Sequence, residues 1–318
     1  MADRAIEADA VSRWFGRGDD RVEALSEVSF AVEAGTITAV LGENGAGKTT
    51  MTKILATLLL PSSGRASLFG HDVAHDSGAC RRLASVVFGG ERGLYAQLSG
   101  RDNLRFFGML AGVSRRDTKA RIPELLEQVG LSDAADRRVE TYSKGMKQRL
   151  HIAIGFLPRP RILLLDEPTV GLDPLEADRL RDAIAVARDD GVTVLLTSHN
   201  LIDVERLADR VLLLDRGVII EDLPLAEFVQ RAGYAAAVTI RGVGDPPSLD
   251  SASSDGISPV ADSIVTADGW ELTLRVLEWG PGVFGKLAVM LAGTEVSDVQ
   301  VREVRLEEAF AQAAGGTR

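Results

Sequence analysis

Short apolar runs alternate with stretches of helical period over residues 1–230, the pattern of a parallel sheet with helices on its faces. TITAVL (36–41), RILLLD (161–166) and TVLLTS (193–198) each hold a short unbroken apolar run, which predicts strands buried on both faces. VLLLD (211–215), then Arg216-Gly217 and VII, predicts a hairpin. After the first of these strands, Met51, Ile54, Leu55, Leu58 and Leu59 share one helical face, and Pro61 is expected to stop that helix. Residues 93–157 read as a helical subdomain set between strands. Ser99 and Asp102 form a capping box there. Ile122, Leu125, Leu126 and Val129 repeat at helical spacing, and Gly130 suits a C-terminal cap. From residue 231 the pattern changes. Residues 235–243 and 263–276 alternate like strands, 283–291 reads as a helix, and 242–259 is a loop rich in Pro, Ser, Asp and Gly. The expectation is an α/β domain over 1–230 and a small α+β domain over 231–318.

Three of these segments end in chemistry. Gly42-Glu43-Asn44-Gly45-Ala46-Gly47-Lys48-Thr49 lies between a buried strand and a helix and fits G-x-x-x-x-G-K-[ST]. Such a loop turns backbone N–H groups onto phosphates at the positive end of a helix. Lys48 is expected to reach the β- and γ-phosphates and the Thr49 hydroxyl to ligate Mg²⁺. RILLLD ends at Asp166, placed to hold Mg²⁺ through water, with Glu167 next and able to polarise an attacking water. TVLLTS is followed by His199, at the carboxyl end of a strand where open α/β sheets bind ligands. YSKGMKQRL (142–150) opens an amphipathic helix with Ser143 as N-cap, Gly145 leaving room for a phosphate, and Lys144 and Lys147 adding positive charge.

Composition sharpens this reading. Of 36 basic residues only six are lysine (48, 53, 119, 144, 147 and 286), leaving 30 arginines, a sign of a GC-rich bacterial coding sequence. Three of the six lysines, Lys48, Lys144 and Lys147, fall in the proposed phosphate motifs. There a compact point charge differs from a planar fork. The net charge of −10 speaks against a nucleic-acid partner. No apolar run approaches the ~18–20 residues that span a bilayer, and the start, MADRAIEADA, lacks the form of a signal peptide. A cytosolic chain is therefore expected. The single Cys80 excludes an internal disulfide and reads as a small buried residue.

In this order the motifs resemble those of the nucleotide-binding subunit of an ATP-binding cassette (ABC) transporter, a P-loop NTPase, over about residues 1–230. GENGAGKTT (42–50) resembles the Walker A motif, YSKGMKQRL the signature, ILLLDEP Walker B, GLDP (171–174) the D-loop, and His199 the switch histidine. The resemblance implies that ATP and Mg²⁺ are the cofactors. It places Asn44, Gly45, Ala46, Gly47, Lys48, Thr49 and Thr50 on the nucleotide, and Thr49 and Asp166 on the metal. It makes Glu167 and His199 catalytic, and it puts Phe15, in RWFG, against adenine, with Trp14 a substitute. Two cassettes, expected to be a homodimer, would sandwich two ATPs, with Ser143, Lys144, Gly145 and Met146 facing the partner's nucleotide and Asp173 in the D-loop. A separate integral-membrane permease would be moved by closure, at the cytoplasmic face of a bacterial membrane. YSKGMKQR and REVRLEEAFAQAAG (302–315) are similar to the daunorubicin-resistance type of drug exporter, whose C-terminal extension is linked to dimer contacts or regulation.

One departure stands out. Family members carry Gln in the loop before the helical subdomain, whereas VVFGGERGLYAQLSG (86–100) has Gly89 or Gly90 there, with Glu91 adjacent and Gln97 too distant. A water is expected to take the place of the glutamine oxygen on Mg²⁺, in preference to Glu91. A translation or repair ATPase is disfavoured by the single cassette and by the lack of a coiled-coil insertion. A GTPase is disfavoured by the absence of NKxD.

Overall fold

The computed structural model describes residues 3–89, 93–247, 256–260, 264–266, 269–303 and 306–315. It divides into two units, Met1–Pro224 and Leu225–Arg318.

In the first unit, β1 (Arg4–Phe15), β2 (Val22–Glu33), β4 (Ser63–Leu68) and β5 (His71–Asp72) form an antiparallel sheet in the order β2-β1-β4-β5. β3 (Ile37–Leu41), β6 (Ala84–Phe88), β7 (Ile162–Asp166), β8 (Thr193–Ser198), β9 (Arg210–Asp215) and β10 (Val218–Pro224) form a second sheet, ordered β10-β9-β3-β8-β7-β6. This sheet is parallel except for the β9–β10 hairpin. Its central strands are buried along their whole length for a two-sided reason. Leu163, Leu165, Val194 and Leu196 face a core shared with α4 (Arg115–Gln128), α5 (Lys144–Phe156) and α6 (Pro174–Asp189). Ile162, Leu164, Leu195 and Val40 face a second core, shared with α1 (Lys48–Leu55) and the antiparallel sheet. Alternate side chains of one strand thus serve different cores. No helix among the described residues is long and apolar enough to cross a membrane.

Local signals account for the helix ends. Ser99 caps α3 (Gly100–Leu110), its hydroxyl accepting from the Asp102 amide and donating to the Asp102 carboxylate. Gly130 takes φ 63° just past α4, a conformation that suits a residue without Cβ. Two readings need correction. The helix after the phosphate loop stops at Leu55 rather than running to Pro61. Thr57 turns left-handed at φ 60°, and Leu58 is 60% exposed instead of lying on the buried face. The division between units falls six residues before the expected 230/231 boundary. α8 (Leu225–Gln230) buries Phe228 and packs on α10 (Leu306–Gly315), so it belongs to the second unit.

That unit has a five-stranded antiparallel sheet. β11 (Ala236–Val243), β12 (Ile257–Pro259), β14 (Gly269–Val276) and β15 (Glu295–Glu303) lie in the order β12-β14-β11-β15, with β13 (Ile264–Thr266) also paired to β14. Val238, Ile240, Trp270, Leu272 and Leu274 form its core with Val283 and Leu287 of α9 (Pro281–Met290). α2 (Ser77–Leu83) and α7 (Leu201–Leu207) are the remaining α-helices described in the first unit. Cys80 is buried, with its Sγ on the His71 carbonyl. Burial and the Asp76 and Asp72 charges push its thiol pKa up, so it is an unreactive packing residue.

Candidate functional site

Parallel pairing brings the chemistry together. β3 pairs with β8 and β8 with β7, in registers that set Leu41 beside Ser198 and Thr197 beside Asp166. The three strand ends that carry the phosphate loop, the acid pair and His199 are therefore neighbours.

The loop at Gly42–Thr49 is held close to the body of the unit. A Cβ on Gly42 would collide with the Leu214 carbonyl, and one on Gly47, at φ 110°, with the Ala24 carbonyl. Only glycine permits both the approach and the left-handed turn. Lys48 is 6% exposed. Its ammonium donates to the carbonyls of Gly42 (2.6 Å) and Glu43 (3.1 Å) and lies 3.3 Å from Oε1 of Glu167. The amine thus bridges the phosphate loop and the acid pair. Ala46 is buried, its amide turned back onto the Glu43 carbonyl (3.2 Å). Asn44 and Gly45 are exposed and Thr50 is half-buried.

Asp166 and Glu167 do different things because the chain turns between them. Asp166 stays in the strand and is buried. Its Oδ2 accepts from the Thr49 hydroxyl (2.8 Å) and its Oδ1 from the Thr197 hydroxyl (2.6 Å). Glu167 takes φ 52°, rare for a residue with a side chain and typical of functional turns. Its amide bonds to the Thr197 carbonyl (3.0 Å), which fixes the turn. The turn swings the Glu167 carboxylate away from Asp166, with Oε1 toward Lys48 and Oε2 2.7 Å from Nδ1 of His199. The His199 amide also reaches Oε2 (3.3 Å). An ionised carboxylate only accepts, so Nδ1 of His199 carries the proton in this pair.

Ser143 is exposed and caps α5, its hydroxyl accepting from the Met146 amide (3.1 Å). Sequence reasoning assigned Gly145 the task of admitting a phosphate. Within the chain its missing Cβ makes room for the side chain of Glu176, on α6. Likewise a Cβ on Gly171 would strike Nζ of Lys144. Asp173 caps α6 by accepting from the Glu176 amide (3.0 Å), and Pro174 follows at the first helical position. The start of the signature helix and the start of α6 are thus packed together. Phe15 ends β1, 42% exposed, with the Arg13 guanidinium 4.6 Å from its ring centroid, and Arg21 stacks at 4.0 Å on Trp14.

At the position of the family glutamine, the Gly89 amide donates to the Asp166 carbonyl (2.7 Å), and a Cβ there would lie 2.5 Å from the Glu167 carbonyl. Gly90, Glu91 and Arg92 lie outside the described residues. Gln97 is engaged elsewhere, donating to Glu140 (2.9 Å).

Comparison with known proteins agrees with this geometry. Residues 25–170 match the model of the ABC transporter domain. The chain is 35% identical over 311 residues to the doxorubicin resistance ATP-binding protein DrrA of Mycobacterium tuberculosis, covering 97% of this chain and 93% of that one. The chain belongs to the ATP-binding proteins of ABC transporters. It is 36% identical to the daunorubicin resistance ATP-binding protein DrrA3 of Streptomyces coeruleorubidus, over 100% of this chain and 98% of that one. A solved ATP-binding subunit of an ABC transporter superposes with a TM-score of 0.62 at 31% identity, covering 71% of this chain and 92% of that one. This ABC subunit is thus an ATPase that powers transport with a membrane partner.

Thr197, Thr169, Ser198, Arg181 and Asp203 escaped the sequence reading, although Thr197 and Ser198 close β8 and Asp203 bonds Ser198, Thr169 and Arg181. A visible signal existed for two of them. Thr197 and Ser198 are polar residues closing an otherwise apolar strand just before His199. Asp203 had none, since an acid on a short helix reads as solvated.

Proposed function

We propose that this subunit binds Mg·ATP on Asn44–Thr50, with Phe15 against the adenine, and hydrolyses it with Glu167 as general base and His199 as its partner. The observation that carries this reading is the placement of the Glu167 carboxylate between Lys48 and His199, beside the Thr49–Asp166 pair. Thr49 and Asp166 offer one hydroxyl and one carboxylate side by side, a donor set suited to Mg²⁺, which keeps most of its waters. Bound there, the ion would offset charge on the β- and γ-phosphates. Glu167 takes a proton from water on Oε2 or Oε1, and His199, its Nδ1 held by Glu167, keeps Nε2 for the γ-phosphate side. Lys48, already at the phosphate loop, meets the phosphate charge.

A phosphate held from one side by Gly42–Thr49 is open on the other. The exposed cap at Ser143, with Lys144, Gly145 and Met146, supports closure by a second copy of this chain, with Asp173 at the contact. The exposed Tyr95 ring, packed on the half-buried Phe106 and Phe107, follows the loop that lacks glutamine, with centroids 4.5 Å and 5.4 Å apart along the series. It supports docking of the permease there. The full-length likeness to doxorubicin and daunorubicin resistance proteins supports a drug, antibiotic or lipid-like molecule as cargo, exported from the cytoplasmic face of a bacterial membrane.

Glu167→Gln tests the core of this reading. ATP affinity should be retained while turnover falls ~10²–10⁴-fold, the usual loss of a general base. Light scattering should show an ATP-dependent dimer of that variant, and Ser143→Arg on the same background should abolish it. Wild-type turnover in Glu167→Gln overturns the assignment of the base. Full dimerisation of the double variant overturns the shared site.

A further inference from the structure

Asp203, on α7, is fully buried, and both of its carboxylate oxygens are engaged. Oδ1 accepts from Nε (2.8 Å) and Nη2 (2.7 Å) of Arg181. Oδ2 accepts from the hydroxyl of Ser198 (3.0 Å) and from that of Thr169. Arg181 is itself buried and gives Nη1 to Asp178 (2.7 Å). Burying such a pair costs more in desolvation than a well-packed apolar pair would, so packing alone is a poor reason for it. The origin of the donors supplies another. Thr169 is two residues beyond Glu167 and Ser198 one before His199, and Arg181 lies on the helix that Asp173 caps. One carboxylate therefore holds the three segments that end in Glu167, His199 and Asp173.

We propose that Asp203 is a positioning residue for ATP hydrolysis, setting the Glu167–His199 contact through the hydroxyls of Thr169 and Ser198 and tying that contact to the D-loop helix through Arg181. The proposal rests on the reading of Glu167 and His199 as the hydrolytic pair. That pair is held at 2.7 Å across two strand ends, and Glu167 sits in a left-handed turn that the sequence of the turn alone would not maintain. Thr169 and Ser198 anchor the chain on the far side of each member. Without the carboxylate, each hydroxyl is free to rotate to another partner and the turn at Glu167 loses its buttress. Small displacements of reacting groups are costly to rate and cheap to binding.

The decisive variants are Thr169→Val and Ser198→Ala, which remove a hydroxyl with little change in shape, alongside Asp203→Asn. Steady-state ATPase of the purified full chain should show kcat lowered about ten- to a hundredfold, with KM and nucleotide affinity unchanged. On a His199→Ala background the same substitutions should cost nothing further, because the contact they set is already gone. A purely structural network would instead lower melting temperature and leave kcat per folded molecule unchanged. That outcome, or losses that multiply with His199→Ala, overturns the proposal. If Asp203→Asn does not fold, the two hydroxyl variants decide the matter. Failure of the hydrolytic reading is distinguishable, since it appears in Glu167→Gln alone as retained turnover, whatever the Asp203 set shows.

Discussion

Two adjacent residues show how fine the residue scale is. Asp166 and Glu167 differ by one methylene and one position, yet the left-handed turn at Glu167 sends one carboxylate to two hydroxyls and the other to a lysine and a histidine. Gly89 lies directly under that turn, with its amide on the Asp166 carbonyl and no space for a Cβ beside the Glu167 carbonyl. Position 89 therefore has no room for the glutamine that the family carries in this loop. Gly89→Gln should disturb the Glu167 turn and lower turnover at least tenfold, by the usual sensitivity of rate to misplaced groups. Gly90→Gln should be tolerated, and Glu91→Ala should change activity little if water serves Mg²⁺ there. Side-by-side ATPase assays of the three variants check this. Equal losses at positions 89 and 90 would contradict the distinction.

At the scale of elements, a buried arginine ties the signature helix α5 to two neighbouring helices. Arg149 is buried, gives Nη1 to the carbonyls of Val129 (2.7 Å) and Gly130 (2.9 Å) past the end of α4, and pairs through Nη2 with Glu176 of α6 (2.9 Å). Glu176 in turn fills the space that the absent Cβ of Gly145 leaves. Arg149 thus links the helical subdomain to the helix that begins at the D-loop. Arg149→Met keeps the length of the stem but strands two carbonyls and leaves the buried Oε2 of Glu176 without its charge partner, Arg179 staying on Oε1. A loss of about 3 kcal/mol is expected for breaking one side of a buried pair, read as a lower urea midpoint with an unchanged m-value. Arg101, whose pair with Asp136 is mostly exposed on the acid's side, is the control. Its removal should cost under about 1 kcal/mol.

For the whole molecule the relevant fact is that each unit has a hydrophobic core of its own. Residues up to Pro224 contain both cores of the first unit, and the sheet of the second unit is packed on its own helix α9. A chain ending at Pro224 should melt cooperatively and bind ATP with the affinity of the full chain, because the phosphate loop, the acid pair and His199 all lie upstream. Loss of dimerisation or of permease association, with binding retained, would place those roles in the second unit. Loss of folding would show that the units depend on each other. An end point at residue 230 is the poorer choice, since it keeps α8 without the α10 it packs against.

What the sequence determined by itself was everything that acts over a few residues. The strands β3, β7 and β8 were legible because burial on both faces demands unbroken apolar runs. The caps at Ser99 and Ser143 were legible because a hydroxyl and an amide three residues apart meet in any helix start. The spacing of Gly42–Thr49 was legible because a phosphate cradle is built from consecutive backbone. The antiparallel sheet of β1, β2, β4 and β5 went unread. Its strands are only half apolar, and β1 carries register shifts that blur the period. The early end of α1 went unread because the apolar spacing continued past the point where Thr57 turned the chain. Tertiary structure alone decided that β8 lies between β3 and β7. That order carries Thr197 to Asp166, His199 to Glu167 and Asp203 to Thr169. Those partners stand about thirty residues apart, and nothing local signals them. They meet because two cores, one on each face of the sheet, fix the order and register of the strands.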